Sequence, residues 1–149
     1  MRQGLTAYQV TGAELVVPYF LTILTEAYGK IGRIEEGLTL LAEMLALVNK
    51  TGERWCEAEL LRFKGELLLR QAVHDEEQAE ACFQQALAEA RRREAKSLEL
   101  RAAMSLSRLW QQGRCAEAYE LLAPIYSWFT EVFDTADLQE AKALLEVLA

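Results

Sequence analysis

Residues 32–41 read GRIEEGLTLL, and residues 113–122 read GRCAEAYELL. In both stretches a glycine and an arginine precede a glutamate, a small residue and a pair of leucines. A third stretch between them, residues 78–87, reads QAEACFQQAL and carries a small residue and a large apolar residue at the same spacing. The sequence therefore contains an internal repeat that occurs three times.

The spacing of the small residues gives the period of this repeat. They are Gly37, Ala79 and Ala118, so the intervals are 42 and 39 residues. A period in this range indicates stacked helical hairpins. The segment before each stretch repeats too, because it puts a small residue three positions before a large one, which lets two helices approach closely. These pairs are Thr25 with Tyr28, Gly65 with Leu68, and Ser107 with Trp110.

Helical periodicity runs from Ala13 almost to the C-terminus, and short breaks divide it into about seven amphipathic segments. No segment alternates with period two, so we predict an all-α fold without strands. Connections of two to four residues favour antiparallel hairpins. The predicted units are a flexible lead-in at 1–12 and one domain at 13–149, with hairpins at about 13–51, 53–95 and 97–133 and a capping helix at 135–148.

These features resemble the tetratricopeptide repeat. Ala79, Phe83 and Ala86 match its second-helix pattern Ala-x-x-x-Phe-x-x-Ala, and Gly65 matches the small residue of its first helix. The resemblance implies a right-handed superhelix of hairpins. The period exceeds the usual 34 residues, and Lys64 stands where the family has an apolar residue.

The longer helices and the C-terminal stretch from residue 122 to residue 145 are similar to the repeat region of bacterial signal-transduction ATPase regulators and of multidomain adenylate or guanylate cyclases. That resemblance implies a non-catalytic protein-interaction and regulatory module, taken from the C-terminal part of a larger signalling protein. The alternative is a small-ligand sensor that controls an attached cyclase or transcription regulator. Neither interpretation requires a cofactor.

Composition limits the partners. The formal net charge is −7, which disfavours binding to nucleic acid or to anionic membranes. No apolar run is long enough to cross a bilayer, and the N-terminus lacks a signal-peptide pattern. We expect a cytoplasmic protein in which the widely spaced Cys56, Cys82 and Cys115 are buried, reduced thiols.

Other candidate sites have simpler structural explanations. His74 is the single histidine and lies in an acidic turn, where a metal site would need further ligands. Arg91, Arg92 and Arg93 fall at a helix C-terminus, where cations interact favourably with the helix dipole. Trp128 and Phe129 either pack between hairpins or form a self-association patch. Three hairpins are close to the minimum for an independent array, so we expect a homodimer.

The predicted binding surface is the groove that the first helices of the hairpins line. Its arginines are suited to clamping the carboxylates of an acidic peptide partner by bidentate hydrogen bonds. The predicted groove residues are Tyr19, Thr22, Glu26, Lys30, Glu59, Arg62, Glu66, Arg70, Arg101, Met104, Arg108 and Gln112.

Overall fold

The computed structural model describes residues 23–24, 26–52, 54, 56–71, 75–129 and 135–149. Six helices have both ends within these residues, and residues 26–30 belong to a further helix that precedes them. They are α1 (Ile34–Thr51), α2 (Glu57–Arg70), α3 (Glu76–Arg92), α4 (Lys96–Trp110), α5 (Cys115–Trp128) and α6 (Ala136–Leu148). Tyr19, Thr22, His74 and the lead-in at 1–12 lie outside the described residues.

The predicted all-α class is confirmed, since the described residues contain helices and turns and no strand. Each helix packs against the next one along the chain, from α1 to α6. In addition α2 contacts α4, and α4 contacts α6. The alternate helices α2, α4 and α6 therefore lie side by side in one layer. The right-handed superhelix stays a prediction.

The GR-x-x-E motif acts at the beginning of a helix. Arg33 immediately precedes α1 and donates from Nε to Glu36 at 2.8 Å. Arg114 immediately precedes α5, and its Nη2 lies 2.7 Å from a carboxylate oxygen of Glu117. Neither arginine caps its helix with a side-chain hydrogen bond. The glutamate of each pair also lies in the first turn, where a negative charge is favourable.

The same arginines lie over an aromatic ring in the last turn of the preceding helix. The guanidinium of Arg33 lies 5.6 Å from the ring centre of Tyr28, and that of Arg114 lies 4.1 Å from the ring of Trp110. Arg114 also reaches Glu80 on α3 at 2.9 Å. The repeated sequence therefore encodes a repeated contact, in which an aromatic ring, an arginine and a glutamate hold a turn between two helices.

A second contact recurs at the 42-residue interval. Arg54 pairs with Glu57 at 3.0 Å, and Lys96 pairs with Glu99 at 3.0 Å. In each pair the cation precedes the carboxylate by three residues at the start of a first helix, α2 or α4. This equivalence supports the alignment of the second and third hairpins.

Small residues allow close helix packing, as their positions in the repeat predict. A Cβ atom built on Gly65 of α2 would lie only 2.5 Å from Cε1 of Phe83 on α3, so the ring occupies the space that a side chain would need. In the next hairpin, Ser107 and Ala118 are fully buried and are joined by a bond of 3.3 Å from the serine hydroxyl to the alanine carbonyl.

The last helix seals the end of the stack. Leu138, Ala141, Leu144 and Leu148 of α6 are buried in a cluster shared with α3, α4 and α5. This apolar face of α6 therefore packs against the two helices of the last hairpin. The outward side of α6 is left mostly polar, with Val147 as its large exposed apolar residue.

Candidate functional site

The layer of α2, α4 and α6 lines a cavity of about 360 Å³, called here the groove cavity. Its volume lies at the low end for ligand pockets, which span roughly 300–1,000 Å³. Six of the predicted groove residues line it, together with four that were not predicted. The lining residues are Ile23, Glu26, Glu59, Arg62, Phe63, Arg101, Met104, Arg108, Asp137 and Glu140.

Four other predicted groove residues are not among those that line this cavity. Lys30 pairs with Glu26 at 3.1 Å on the exposed side of its helix. Glu66 has a side chain that is 30% exposed and accepts a hydrogen bond of 2.9 Å from Ser105. Arg70 packs close to Gly29 at the far end of α2, and Gln112 lies exposed in the turn after α4.

The unpredicted lining residues come from two sources. Asp137 and Glu140 belong to α6, the predicted capping helix, which was not among the helices predicted to line the groove. They are three residues apart, which places both on one face of the helix. This spacing could have predicted an acidic face on α6. Phe63 and Ile23 add apolar surface. Phe63 and the predicted Met104 are both buried, so the cavity has an apolar base beneath charged walls.

Glu59 is the centre of the charged network. Glu59 is 7% exposed, and its carboxylate accepts two hydrogen bonds from Arg62, at 2.9 and 3.1 Å. Arg101 of α4 donates to the same carboxylate at 3.4 Å and to Asp137 of α6 at 2.8 Å. One guanidinium therefore links α2, α4 and α6 across the base of the groove.

The network extends along the groove in stripes of alternating charge. Arg108 lies seven residues after Arg101 on α4 and donates to Glu140 of α6 at 3.0 Å. Glu66 lies seven residues after Glu59 on α2, 3.6 Å from Arg62. A basic α4 is thus flanked by acidic residues of α2 and α6. The predicted clamping of an acidic peptide stays a prediction, and such a peptide would have to displace these carboxylates.

The pKa values agree with this pairing. Burial alone would lower the pKa of Arg62, but the hydrogen bonds and negative charge of Glu59, with the charge of Glu66, raise it above its ordinary value. Burial alone would also lower the pKa of Arg101. The hydrogen bonds and negative charges of Asp137 and Glu59 outweigh burial, so the pKa of Arg101 is raised. Both guanidinium groups are therefore held as cations by carboxylates of the same chain.

A second cavity of about 600 Å³ lies on the other side of the Arg101–Asp137 pair and is called here the Trp128 cavity. Trp128 is 56% exposed and packs edge-on against Phe129, with ring centres 5.2 Å apart. Lys96 lies 5.3 Å above the Trp128 ring. Self-association through this patch stays a prediction. The lining residues are Ser97, Leu100, Arg101, Trp128, Phe129, Thr135, Ala136, Asp137 and Leu138.

The basic run at the end of α3 is neutralised within the chain. Arg92 and Arg93 both donate to Glu89, at 2.6 and 2.8 Å. Arg91 donates to Glu99 at the start of α4, at 2.9 Å. The Arg91–Glu99 contact joins α3 to α4 at the turn. The run lies at the C-terminal end of α3, where it was predicted, and its interaction with the helix dipole stays a prediction.

The thiols differ in their surroundings. Cys56 and Cys82 are buried as predicted, and burial raises the pKa of the Cys82 thiol. The prediction of a buried thiol is wrong for Cys115, which is exposed. Cys115 is the first residue of α5, and its Sγ donates to the carbonyl of Gln111 at 2.8 Å instead of entering the core.

Within the described residues, no group of three or more His, Cys, Asp or Glu side chains is placed to hold a metal ion.

In comparisons with known proteins, no family model, no curated protein and no solved structure matches the chain. The resemblance to the tetratricopeptide repeat therefore stands on the repeated residues and contacts described above. None of the helices in the described part of the chain is long and apolar enough to span a membrane.

Glu99 should make the stability of the protein sensitive to acid. Burial alone would raise its pKa, but the hydrogen bonds from Arg91 and Lys96 outweigh burial and lower it. The unfolded chain has a glutamate pKa of about 4.3. This contribution is therefore complete above about pH 4.3 and is lost as the pH falls toward the lower pKa of the folded state.

Urea unfolding between pH 7 and pH 3 measures this effect. The Glu99→Gln variant should lose less stability over the acidic part of that range than the wild type loses, because it has no carboxylate to protonate. An unfolding free energy that falls equally steeply in both proteins would contradict the assignment.

Proposed function

We propose that this chain is a non-catalytic protein-binding module that holds a segment of a partner protein in the groove cavity. The observation that carries the proposal is the position of this cavity. It lies along the layer of α2, α4 and α6, with Ile23 and Glu26 of the preceding helix, so that several consecutive repeat units contribute to one surface. Surfaces of this kind are the binding surfaces of helical-repeat proteins.

The resemblance to bacterial regulators supports the further proposal that this module belongs to a larger cytoplasmic signalling protein, which it would connect to its partner. Dimerisation of the module belongs to the same proposal, with the exposed Trp128 as its contact. The signalling role rests on the sequence resemblance, and the dimer contact rests on the exposure of the Trp128 side chain.

The alternative of a small-ligand sensor is favoured by one observation, the Trp128 cavity. Its volume of about 600 Å³ is within the range of ligand pockets. It shares Arg101 and Asp137 with the groove cavity, so a ligand there would act on the ion pair that joins α4 to α6. The binding module remains the first proposal because the groove cavity involves more of the repeat units.

Selection of a displayed random peptide library on the purified chain tests the proposal. The groove variant replaces Ile23, Arg108 and Glu140 together by serine, because all three line the cavity and are exposed, so that their replacement should not disturb the core. The variant loses one cation and one anion, so its net charge is unchanged. Selected peptides should bind this variant at least about ten-fold more weakly than the wild type, a loss of about 1.4 kcal/mol.

The matched control replaces Ile31, Lys142 and Glu146 by serine, which also removes one exposed apolar residue, one cation and one anion. These residues are outside the groove lining, so binding should be unchanged. Equal binding of selected peptides to the groove variant and the control, or no enrichment at all, would refute the proposal.

A further inference from the structure

The charges that line the groove cavity are not balanced. Four carboxylates face three guanidinium groups. Just outside the lining, Glu66 adds a carboxylate beside Arg62 and Lys30 adds a cation beside Glu26, so an excess of one carboxylate remains. The whole chain carries a formal charge of −7, so the field around it has the same sign as this excess. Such a field accelerates the approach of a cationic segment and opposes that of an anionic one.

Exposure strengthens the asymmetry. The two outermost carboxylates, Glu26 and Glu140, have side chains that are 50% and 59% exposed. The side chain of Arg62 is only 16% exposed, and it is engaged by Glu59 and Glu66. Arg101 is 42% exposed and is divided between Glu59 and Asp137, and Arg108 is 46% exposed and pairs with Glu140. A carboxylate has about four acceptor sites, so Glu140 can keep its bond to Arg108 and accept a second donor.

The apolar residues at the base of the cavity indicate that a ligand would also carry an apolar group. Phe63 and Met104 are buried, and Ile23 is half-exposed at the edge. They offer apolar contact between Glu26 on one side and Glu140 on the other. A cavity of about 360 Å³ holds a side chain of a peptide rather than a folded element.

We infer that the groove cavity recognises an extended protein segment in which an apolar residue lies between lysine or arginine residues. The inference rests on the proposed binding function and replaces an acidic partner by a basic one. The apolar side chain packs on Phe63 and Met104. The flanking cations bind Glu26 and Glu140, and the internal pairs of Arg62 and Arg101 remain intact.

The peptides selected on the wild-type chain test this chemistry through their composition and through charge reversal. The pool should be enriched in basic residues that flank an apolar residue, and raised salt should weaken binding because it screens exposed charges. The Glu26→Lys and Glu140→Lys double variant should bind the pool about ten-fold more weakly, since two attractive contacts become repulsive.

The matched control is Glu120→Lys with Glu146→Lys, which changes the net charge equally at two exposed positions outside the groove lining. Binding to the control should stay within about two-fold of the wild type, because only the general field changes. Equal losses in the two double variants would overturn the inference. So would a pool that is acidic or neutral, or tighter binding to the Glu26→Lys and Glu140→Lys variant.

The outcomes separate the two proposals. An acidic or neutral pool that still depends on Ile23, Arg108 and Glu140 would overturn the basic segment and leave the binding groove in place. A pool that does not depend on these residues, or the absence of any enriched pool, would overturn both.

Discussion

Replacing Phe83 by alanine should lower the free energy of unfolding by about 3–5 kcal/mol, the range for removing a large aromatic side chain from a core. Phe83 is fully buried, and it is the largest side chain with almost no exposure among the residues that the structure describes. Its cluster includes Leu68 of α2, Ala79 of α3 and Leu106 of α4, so the cavity left by the ring would loosen three helices together. Urea unfolding monitored by far-ultraviolet circular dichroism measures the loss.

The partner of Phe83 gives the control for this prediction. Gly65→Ala should destabilise by about 1–3 kcal/mol, because the new methyl group overlaps the Phe83 ring. Gly113→Ala should be nearly neutral, since a Cβ there meets nothing within 4 Å. In a Phe83→Leu background the cost of Gly65→Ala should shrink, and additive losses would contradict the contact.

The sequence predicted the helices because their signals are local. The apolar period within each segment is set by neighbours along the chain, and the GR-x-x-E motif marks the starts of α1 and α5 through contacts only three residues apart. The repeat pattern places a small residue at 65 and a large one at 83, but the contact between Gly65 and Phe83 was found only in the structure. The handedness of the stack depends on small rotations between hairpins, which no single residue encodes.

The groove was only partly predictable for the same reason. Helical spacing predicts which residues of α2 and α4 share a face, and six of the predicted residues do line one cavity. Some partners of their charges lie far away along the chain. Arg101 and Glu59 are one 42-residue repeat interval apart, so the repeat aligns them on α2 and α4 without showing that their side chains pair. Asp137 lies 36 residues after Arg101, and periodicity does not predict that contact. The arginines therefore looked available to a ligand, whereas the fold supplies carboxylates for them.

Glu59→Ala should destabilise the protein by about 3 kcal/mol, the lower end of the range for breaking a buried ion pair. Glu59 holds both Arg62 and Arg101, and Arg62 has a side chain that is only 16% exposed. Without Glu59, Arg62 keeps its charge in a place where water cannot fully replace the lost carboxylate, and Glu66, 3.6 Å away, is a weaker partner. Thermal and urea unfolding of the purified variant measure this loss.

Glu89→Ala is the matched comparison, because Glu89 also binds two arginines and its side chain is 13% exposed. The loss there should be much smaller, since Arg92 and Arg93 have side chains 61% and 34% exposed and can turn into solvent. Combining Glu59→Ala with Arg62→Ala should cost less than the sum of the single variants, because the stranded charge is gone. Equal losses for Glu59→Ala and Glu89→Ala would mean that the groove network is a solvated surface. In that case its arginines would be available to an acidic ligand after all.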